Sequence, residues 1–457
     1  MATFEKTLFS ALINLLRKIA FPTKNNIKEF SMNIIKKVLQ QTLKVSFLLC
    51  CFSVSAADEA QQLYTSQPDV TPELGKRGKY SVGVRTIEAT NSQQLSTKDY
   101  KSLEDRTLTL EVWYPALTKD MDMQATYENV TRTNKEFSLQ GRSVRDANTN
   151  QEKTYPLVVL SHGYTGYRTI MFYLGEHLAS HGYVVVGVDH TDSTTGEIDF
   201  ENAPFAGFPS TLINRARDQQ FVLDYFTSTN SDLTKVVDTN LASVIGFSMG
   251  GYGAINTVGG CYNFNQKSLQ DFGFPESTAK ALLPVFNTCN AGRKNVDNRW
   301  QAMVAFAPWG QEQNLHTLDG IQVPSLYVTG DHDDISGYEQ GVKKLFEQSA
   351  AKDSFMLVYE NARHNVAPHP APEIAYADEA DLGLYYEPVW SSETLNRINQ
   401  HMTLAFLDCY VKKQVSACDY LPKRERSTQI KQADGKSTDP WPGFANRWGV
   451  GMRFVRK

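Results

Sequence analysis

Two kinds of apolar pattern run along the chain. Tyr80–Ile87 and Thr107–Tyr114 alternate apolar with polar residues, the period of a strand with one face in a core and one in water. The second run stops at Pro115, and together they predict an antiparallel pair at a sheet edge. Beyond Tyr155 the pattern changes. Tyr155–Leu160, Gly182–Asp189, Leu241–Ile245, Gln301–Ala307, Ser325–Thr329 and Phe355–Tyr359 are short, nearly continuous apolar runs, as expected of strands buried on both faces. Segments with helical spacing, Met171–Ser180 and Leu212–Thr227, lie between them, and Ser392–Val411 follows the last. In that late helix Leu395, Ile398, Met402, Ala405, Phe406 and Cys409 share one face, which is core spacing. Strands alternating with helices predict an α/β fold with a mostly parallel, doubly wound sheet and an antiparallel N-terminal edge. Asp58–Lys79 reads as polar and loosely held, and Ala116–Lys153 as a long polar surface excursion with one helix. The tail, 419–457, is polar until Trp441-Pro442-Gly443-Phe444 and Trp448, aromatics suited to pinning it to the body.

The N-terminus has a pattern of its own. From Met32 a basic stretch (Lys36, Lys37, Lys44) precedes the apolar Val45–Val54 and the small residues Ser55-Ala56-Ala57. That is the layout of a secretory signal peptide over 32–56, with cleavage after Ala56 or one residue later. The apolar run is too short for a transmembrane helix. Residues 1–31 then read as an upstream extension, leaving 57–457 as one domain. Residues 1–56 carry eight basic and two acidic residues, so the remaining chain has 38 basic and 48 acidic residues, net −10. Such an acidic exported chain is a poor partner for nucleic acid or anionic membranes and suits a neutral substrate. Four cysteines remain, Cys261, Cys289, Cys409 and Cys418. Export makes two disulfides the expectation, and of three pairings the sequence-local one, Cys261–Cys289 with Cys409–Cys418, is favoured.

The chemistry gathers where the apolar runs end, as it should in an open α/β sheet. Gly246-Phe247-Ser248-Met249-Gly250-Gly251 follows one run and precedes a helix-compatible segment, the Gly-x-Ser-x-Gly spacing of a strained strand-to-helix turn that exposes a serine. His162-Gly163-Tyr164 follows the first buried run, where a backbone N–H for an oxyanion is expected; the Tyr164 and Met249 amides are assigned that role. His162 itself reads as structural, bonded to that loop. Asp331, Asp333 and Asp334 follow a later run, and His364 follows the last, with His369 a competitor five residues on. The order serine, acid, histidine fits a nucleophile, an orienting carboxylate and a proton-accepting imidazole. Adjacent residues on one short loop are poorly placed to converge on a metal ion, and no metal or organic cofactor is implied.

With these motifs in place the chain resembles the α/β-hydrolase superfamily. It is similar to bacterial dienelactone-hydrolase-like and platelet-activating-factor-acetylhydrolase-like proteins, which are related to cutinase-like polyester hydrolases. Val82-Gly83-Val84-Arg85, Val112-Trp113-Tyr114-Pro115 and Leu178–Val185 resemble the acetylhydrolase-like branch. Gly163-Tyr164-Thr165, Ser248-Met249-Gly250-Gly251, Pro308-Trp309 and Asp333-Asp334-Ile335 resemble the polyester-hydrolase branch. The resemblance implies Asp333 as the acid, ahead of Asp334 and Asp331, and implies that Trp309 stacks on substrate beside Tyr164 and Phe247. Phe247 stands where the family has His or Trp, and Arg363-His364 where it has Ser-His. Residues 261–296 are an insertion relative to the compact polyester hydrolases and read as a disulfide-stapled cap over the carboxyl edge of the sheet, favouring short acyl groups.

The reading is an exported serine hydrolase of carboxylic esters, periplasmic or extracellular. It acts through an acyl-enzyme, as a monomer, on a small-molecule or lipid-like ester, with no stable membrane anchor. The alternatives within the fold are a platelet-activating-factor-type acetylhydrolase, a lipase or a polyester hydrolase, with a peptidase or haloperoxidase further off. The alternative of another class is a non-catalytic binding protein on the same fold.

Overall fold

The computed structural model describes residues 60–65, 71–117, 124–286, 289, 296–310, 315–428, 434–435, 440–445 and 449–457. The expected extension and signal peptide, Trp448 and most of 287–295 lie outside them. Ala60–Lys457 forms one compact unit.

Eleven strands make one sheet. Its middle is parallel: β5 (Tyr155–Ser161), β6 (Val184–Asp189), β7 (Val237–Phe247), β9 (Trp300–Phe306), β11 (Ser325–Gly330) and β12 (Ser354–Tyr359), in the order β12-β11-β9-β7-β5-β6. The chain places β6 on one side of β5 and everything from β7 onward on the other. A crevice therefore opens between the carboxyl ends of β5 and β7. Neighbouring residues of a doubly covered strand serve opposite faces. Val158 and Leu160 join the cluster that contains Trp113, Leu174 and Phe406, whereas Leu157 and Val159 join the one that contains Leu212, Tyr252 and Ile255. The first cluster is covered by helices α1 (Phe172–Ser180) and α8 (Ser392–Tyr410), the second by α2 (Phe208–Ser228) and α3 (Met249–Thr257). The six α8 residues predicted to share a face are all buried.

The edges depart from expectation. β1 (Ser81–Leu95) and β2 (Leu103–Ala116) are antiparallel as predicted, but they are not the edge. The stretch read as a polar excursion supplies β3 (Gln124–Val130) and β4 (Glu136–Arg145), a hairpin that extends the sheet beyond β1. Its apolar positions are few, and Ala125, Tyr127, Leu139 and Val144 are the buried ones. At the opposite end β13 (Met452–Arg456) pairs antiparallel with β12. The segment read as loosely held is tied down where it is described: Gln61 exchanges two backbone bonds with Ser138 and Gln140, and Tyr64 donates to Asn396 at 2.5 Å. Trp441 and Phe444 are buried, and the Trp441 indole donates to the Arg424 carbonyl.

The insertion contributes β8 (Cys261–Tyr262), α4 (Gln266–Asp271) and α5 (Glu276–Phe286). β8 pairs with β10 (Leu315–Thr317). Both local disulfides are present, Cys261–Cys289 and Cys409–Cys418. The remaining helices are short: α6 (Lys343–Gln348), α7 (Glu379–Leu382) and α9 (Val415–Cys418). No helix among the described residues is long and apolar enough to cross a membrane.

Besides His364, five histidines, at 162, 177, 190, 369 and 401, are buried. Burial pushes His369 down to about 4 and His190 and His401 to about 3, and holds His162 and His177 well below the ordinary range. The unfolded chain takes up these protons near pH 6.5 while the folded chain does not. Stability is therefore full above about pH 6.5 and is lost as pH falls towards the folded values, by up to about 1.4 kcal/mol per pH unit for each such group. Urea midpoints should drop steadily from pH 7 to pH 5; equal midpoints would contradict this.

Candidate active site

The reversal between β7 and α3 falls on one residue. β7 ends at Phe247, α3 begins at Met249, and Ser248 between them has φ 53° and ψ −114°. A side-chain-bearing residue held there costs about 1–3 kcal/mol, offset by surrounding bonds. Ser248 N–H donates to the Phe306 carbonyl (2.9 Å), and its carbonyl accepts from Tyr252 (3.0 Å) and Trp309 (3.2 Å). The flanking glycines are a steric need. A Cβ at Gly246 would lie 2.1 Å from the Gly250 carbonyl oxygen, and one at Gly250 2.1 Å from that of Ser161.

His364 follows β12, and Asp333 follows β11. The imidazole Nδ1 lies 2.9 and 3.1 Å from the two Asp333 oxygens, and the carboxylate also accepts from Ile335 N–H (3.0 Å) and Ser336 N–H (2.8 Å). Burial alone would push the Asp333 carboxyl up; His364 and the two amides outweigh it and hold it below its usual range. The carboxylate accepts, so Nδ1 carries the proton and Nε2 presents a lone pair. The Phe247 ring packs against the imidazole, 5.1 Å between centroids. The other two aspartates are committed elsewhere: Asp334 pairs with Arg363, and Asp331 accepts from Asn361 N–H and binds Arg453 at 3.2 Å. His369 is buried against Tyr167 (2.6 Å) and is not in the site.

The loop after β5 supplies the third wall. His162 Nδ1 lies 2.6 Å from the Gly163 carbonyl, and His162 Nε2 accepts from His190 N–H (3.1 Å), the loop-holding role expected of it. A Cβ at Gly163 would sit 3.1 Å from the Ser248 Cβ. Met249 opens α3, so its N–H is among those without an intrahelical acceptor. Among the described residues the Tyr164 N–H has no backbone acceptor either.

Ser248, His364, Phe247, Gly163 and Tyr164 border one cavity of about 780 Å³. Its other walls were not read from the sequence. One is the loop carrying Phe200, Pro204 and Phe205; another is 379–388, with Leu382, Leu384 and Tyr386. The β3–β4 turn fastens the second wall. Thr133 bonds the Asp381 carboxylate through N–H (2.8 Å) and hydroxyl (2.6 Å), and Lys135 pairs with it at 3.4 Å. Arg132 donates to Thr165 Oγ1 (3.0 and 3.2 Å) and to the Ala380 carbonyl (3.2 Å) and covers the Phe200 ring at 4.6 Å. Two expected neighbours are not among the described walls. None of the described residues of 261–296 borders this cavity; the insertion packs on its flank through Phe272 against Phe208. Trp309 does not border it either, but packs edge-on against Phe208 and Tyr252.

A second serine–histidine–aspartate chain lies close by. Ser161 Oγ is 2.7 Å from His190 Nε2, and His190 Nδ1 is 2.8 Å from Asp218, which Arg106 also binds at 2.7 Å. Ser161, His190 and Asp218 are each at most 1% exposed, so no substrate can reach them. This chain holds β5, β6 and α2 together; its members lie on separate strands and a helix with no motif to link them.

Comparison with known proteins agrees with the geometry. The PETase family model, described as PET hydrolase-like, matches residues 140–261, which carry both the loop after β5 and the Ser248 turn. Cutinase est1 of Thermobifida alba is 34% identical over 106 residues, 23% of this chain and 31% of that protein. A platelet-activating factor acetylhydrolase of Cavia porcellus is 28% identical over 155 residues, 32% of this chain and 35% of that protein. The chain thus spans about a third of the length of the curated relatives it matches. A ferulic acid esterase from Streptomyces cinnamoneus has a similar fold, with a TM-score of 0.51 at 18% identity over 78% of this chain and 94% of that one. The resemblance to α/β-hydrolases of the cutinase and acetylhydrolase kind is borne out.

The committed bonds of the three aspartates separate them experimentally. Asp333→Asn should slow fluorophosphonate labelling of Ser248 by about 10⁴-fold through the wrong imidazole tautomer. Asp334→Asn should slow it less than about tenfold, since it removes one half-exposed ion pair. The opposite ranking would assign the acid to Asp334.

Proposed function

We propose that this chain is an exported serine hydrolase of carboxylic esters built on the α/β-hydrolase fold. The observation that carries the reading is Ser248, strained at the strand-to-helix turn, sharing one cavity with His364, whose Nδ1 is held by the buried Asp333. Ser248 attacks the ester carbonyl, and His364 Nε2 accepts its proton. The Tyr164 and Met249 amides stabilise the tetrahedral oxyanion. His364 returns the proton to the leaving alcohol, then activates water to release the acyl group. Every proton transfer is served by Ser248 and His364, so the proposed reaction requires no cofactor. Two disulfides support an oxidising compartment, in line with the export signal read at 32–56.

The substrate is a neutral ester with a short acyl group. The described residues of the stapled insertion stand aside from the cavity, and the limits on acyl length come from Phe200, Pro204 and Phe205 and from the 379–388 wall. A polyester or lipid-like substrate is the second reading. It is favoured by Phe205, Ile335 and Tyr386, which line the cavity yet are 73%, 62% and 48% exposed, so that a surface could meet its mouth. Trp309 acts as a support behind Phe208.

Hydrolysis of p-nitrophenyl acetate, butyrate and palmitate, with a polyester film alongside, separates these readings. We expect acetate and butyrate to exceed palmitate by at least about tenfold in kcat/KM, a factor of the size set by a few methylenes. Preference for palmitate or release of acid from the film would favour the second reading. Ser248→Ala should abolish every one of these activities. A wild-type protein with neither hydrolysis nor a fluorophosphonate adduct on Ser248 would leave a binding protein as the better account.

A further inference from the structure

Beneath the oxyanion loop lies a guanidinium that the mechanism above does not use. Arg215, on α2, is 1% exposed, and its Nη2 donates to the Gly163 carbonyl at 3.0 Å. Its Nε and Nη1 are buried and have no hydrogen-bond partner among the described residues. Asp218, three residues on along the same helix, does not bond it; that carboxylate is taken by Arg106 and His190. Burial therefore pushes Arg215 down to about 9, and the charge is balanced only through space. Burying a cation without a contacting anion is expensive. A neutral amide donor could hold one carbonyl for less.

The carbonyl it touches is what gives the charge a use. Gly163 C=O and Tyr164 N–H belong to one planar peptide group, in which the two bonds point in opposite directions. Three donors converge on the oxygen, Arg215 Nη2 at 3.0 Å, His162 Nδ1 at 2.6 Å and the Gly166 N–H at 3.2 Å, and of these only Arg215 carries a charge. His162 is buried and neutral, and His190 N–H occupies its Nε2, so its proton is on Nδ1. With the oxygen drawn to one side, the Tyr164 N–H is turned to the other. Donors on the oxygen also polarise the group and strengthen the N–H as a donor.

We propose that Arg215 is a positioning residue for the oxyanion hole: through the Gly163 carbonyl it fixes and polarises the Gly163–Tyr164 peptide so that Tyr164 N–H meets the negative charge of the transition state. This rests on the ester-hydrolase reading. The effect belongs to the transition state, because the ground-state carbonyl carries little charge to stabilise.

The test compares Arg215→Met, which keeps the bulk and loses charge and donor, with Arg215→Lys, which keeps the charge. Both are measured on p-nitrophenyl butyrate and against a trifluoromethyl ketone, whose adduct with Ser248 carries an oxyanion. Binding of butyrate, the acid product, serves as the control. Arg215→Met should lower kcat about 10- to 100-fold with KM within about twofold, less than or comparable to the loss of a direct donor. Ketone affinity should fall by the same factor while butyrate binding is unchanged. Arg215→Lys should recover most of both. A folded Arg215→Met with kcat within twofold of wild type would overturn the proposal, as would equal losses in Met and Lys or a loss confined to KM. If Arg215→Met does not fold, Arg215→Lys decides alone: a folded Lys variant as impaired as a direct-donor loss overturns it. A wild-type protein with no Ser248-dependent hydrolysis would instead sink the underlying reading, and the proposal with it.

Discussion

The site depends on one place where no methyl group fits. At Gly250 the first turn of α3 lies so close to the end of β5 that an added Cβ would overlap the Ser161 carbonyl. That approach sets how deeply the elbow sits between β5 and β9, and hence where Ser248 stands relative to the loop after β5. The loop after β5 begins at that same Ser161, and the strained serine keeps its backbone bond to Phe306 beside it. Dense interiors have two arrangements of such contacts rather than a continuum, so the serine is either in place or the turn is not formed.

The parallel centre of the sheet was legible in the sequence because continuous apolar runs need two covered faces, and nothing else in a globular chain demands that. The positions of Ser248 and His364 were legible because they sit where such runs stop. The sheet's edges were not. Only Ala125, Tyr127 and Leu139 mark the inner face of the β3–β4 hairpin amid polar neighbours, too few to show a period. β13 is short and carries arginine at two of its five positions, and its burial is decided by β12, about a hundred residues earlier.

The choice among the three aspartates illustrates a different limit. Spacing offered all of them, and family resemblance ranked them. What separates them physically is Arg453, which binds Asp331, and Arg363, which pairs with Asp334. The first partner comes from the far end of the chain, so no local pattern could report it. The cavity walls have the same character: residues 379–388 acquire their place through Asp381 and a turn some 250 residues earlier. The lie of the insertion's described residues was not legible because a disulfide says which loop is stapled, not which face it covers.

Strand β13 has a consequence for how the site is supported. β13 closes the sheet beside β12, Glu360 N–H bonds the Gly451 carbonyl, and Arg453 reaches Asp331 and Glu360 at the base of the loops that carry Asp333 and His364. The Ser248 turn draws on none of these contacts, being held by Phe306, Tyr252 and Trp309. Loosening β13 would therefore unsettle the loops after β11 and β12 while leaving the serine's own turn in place, so the two halves of the site rest on separate supports.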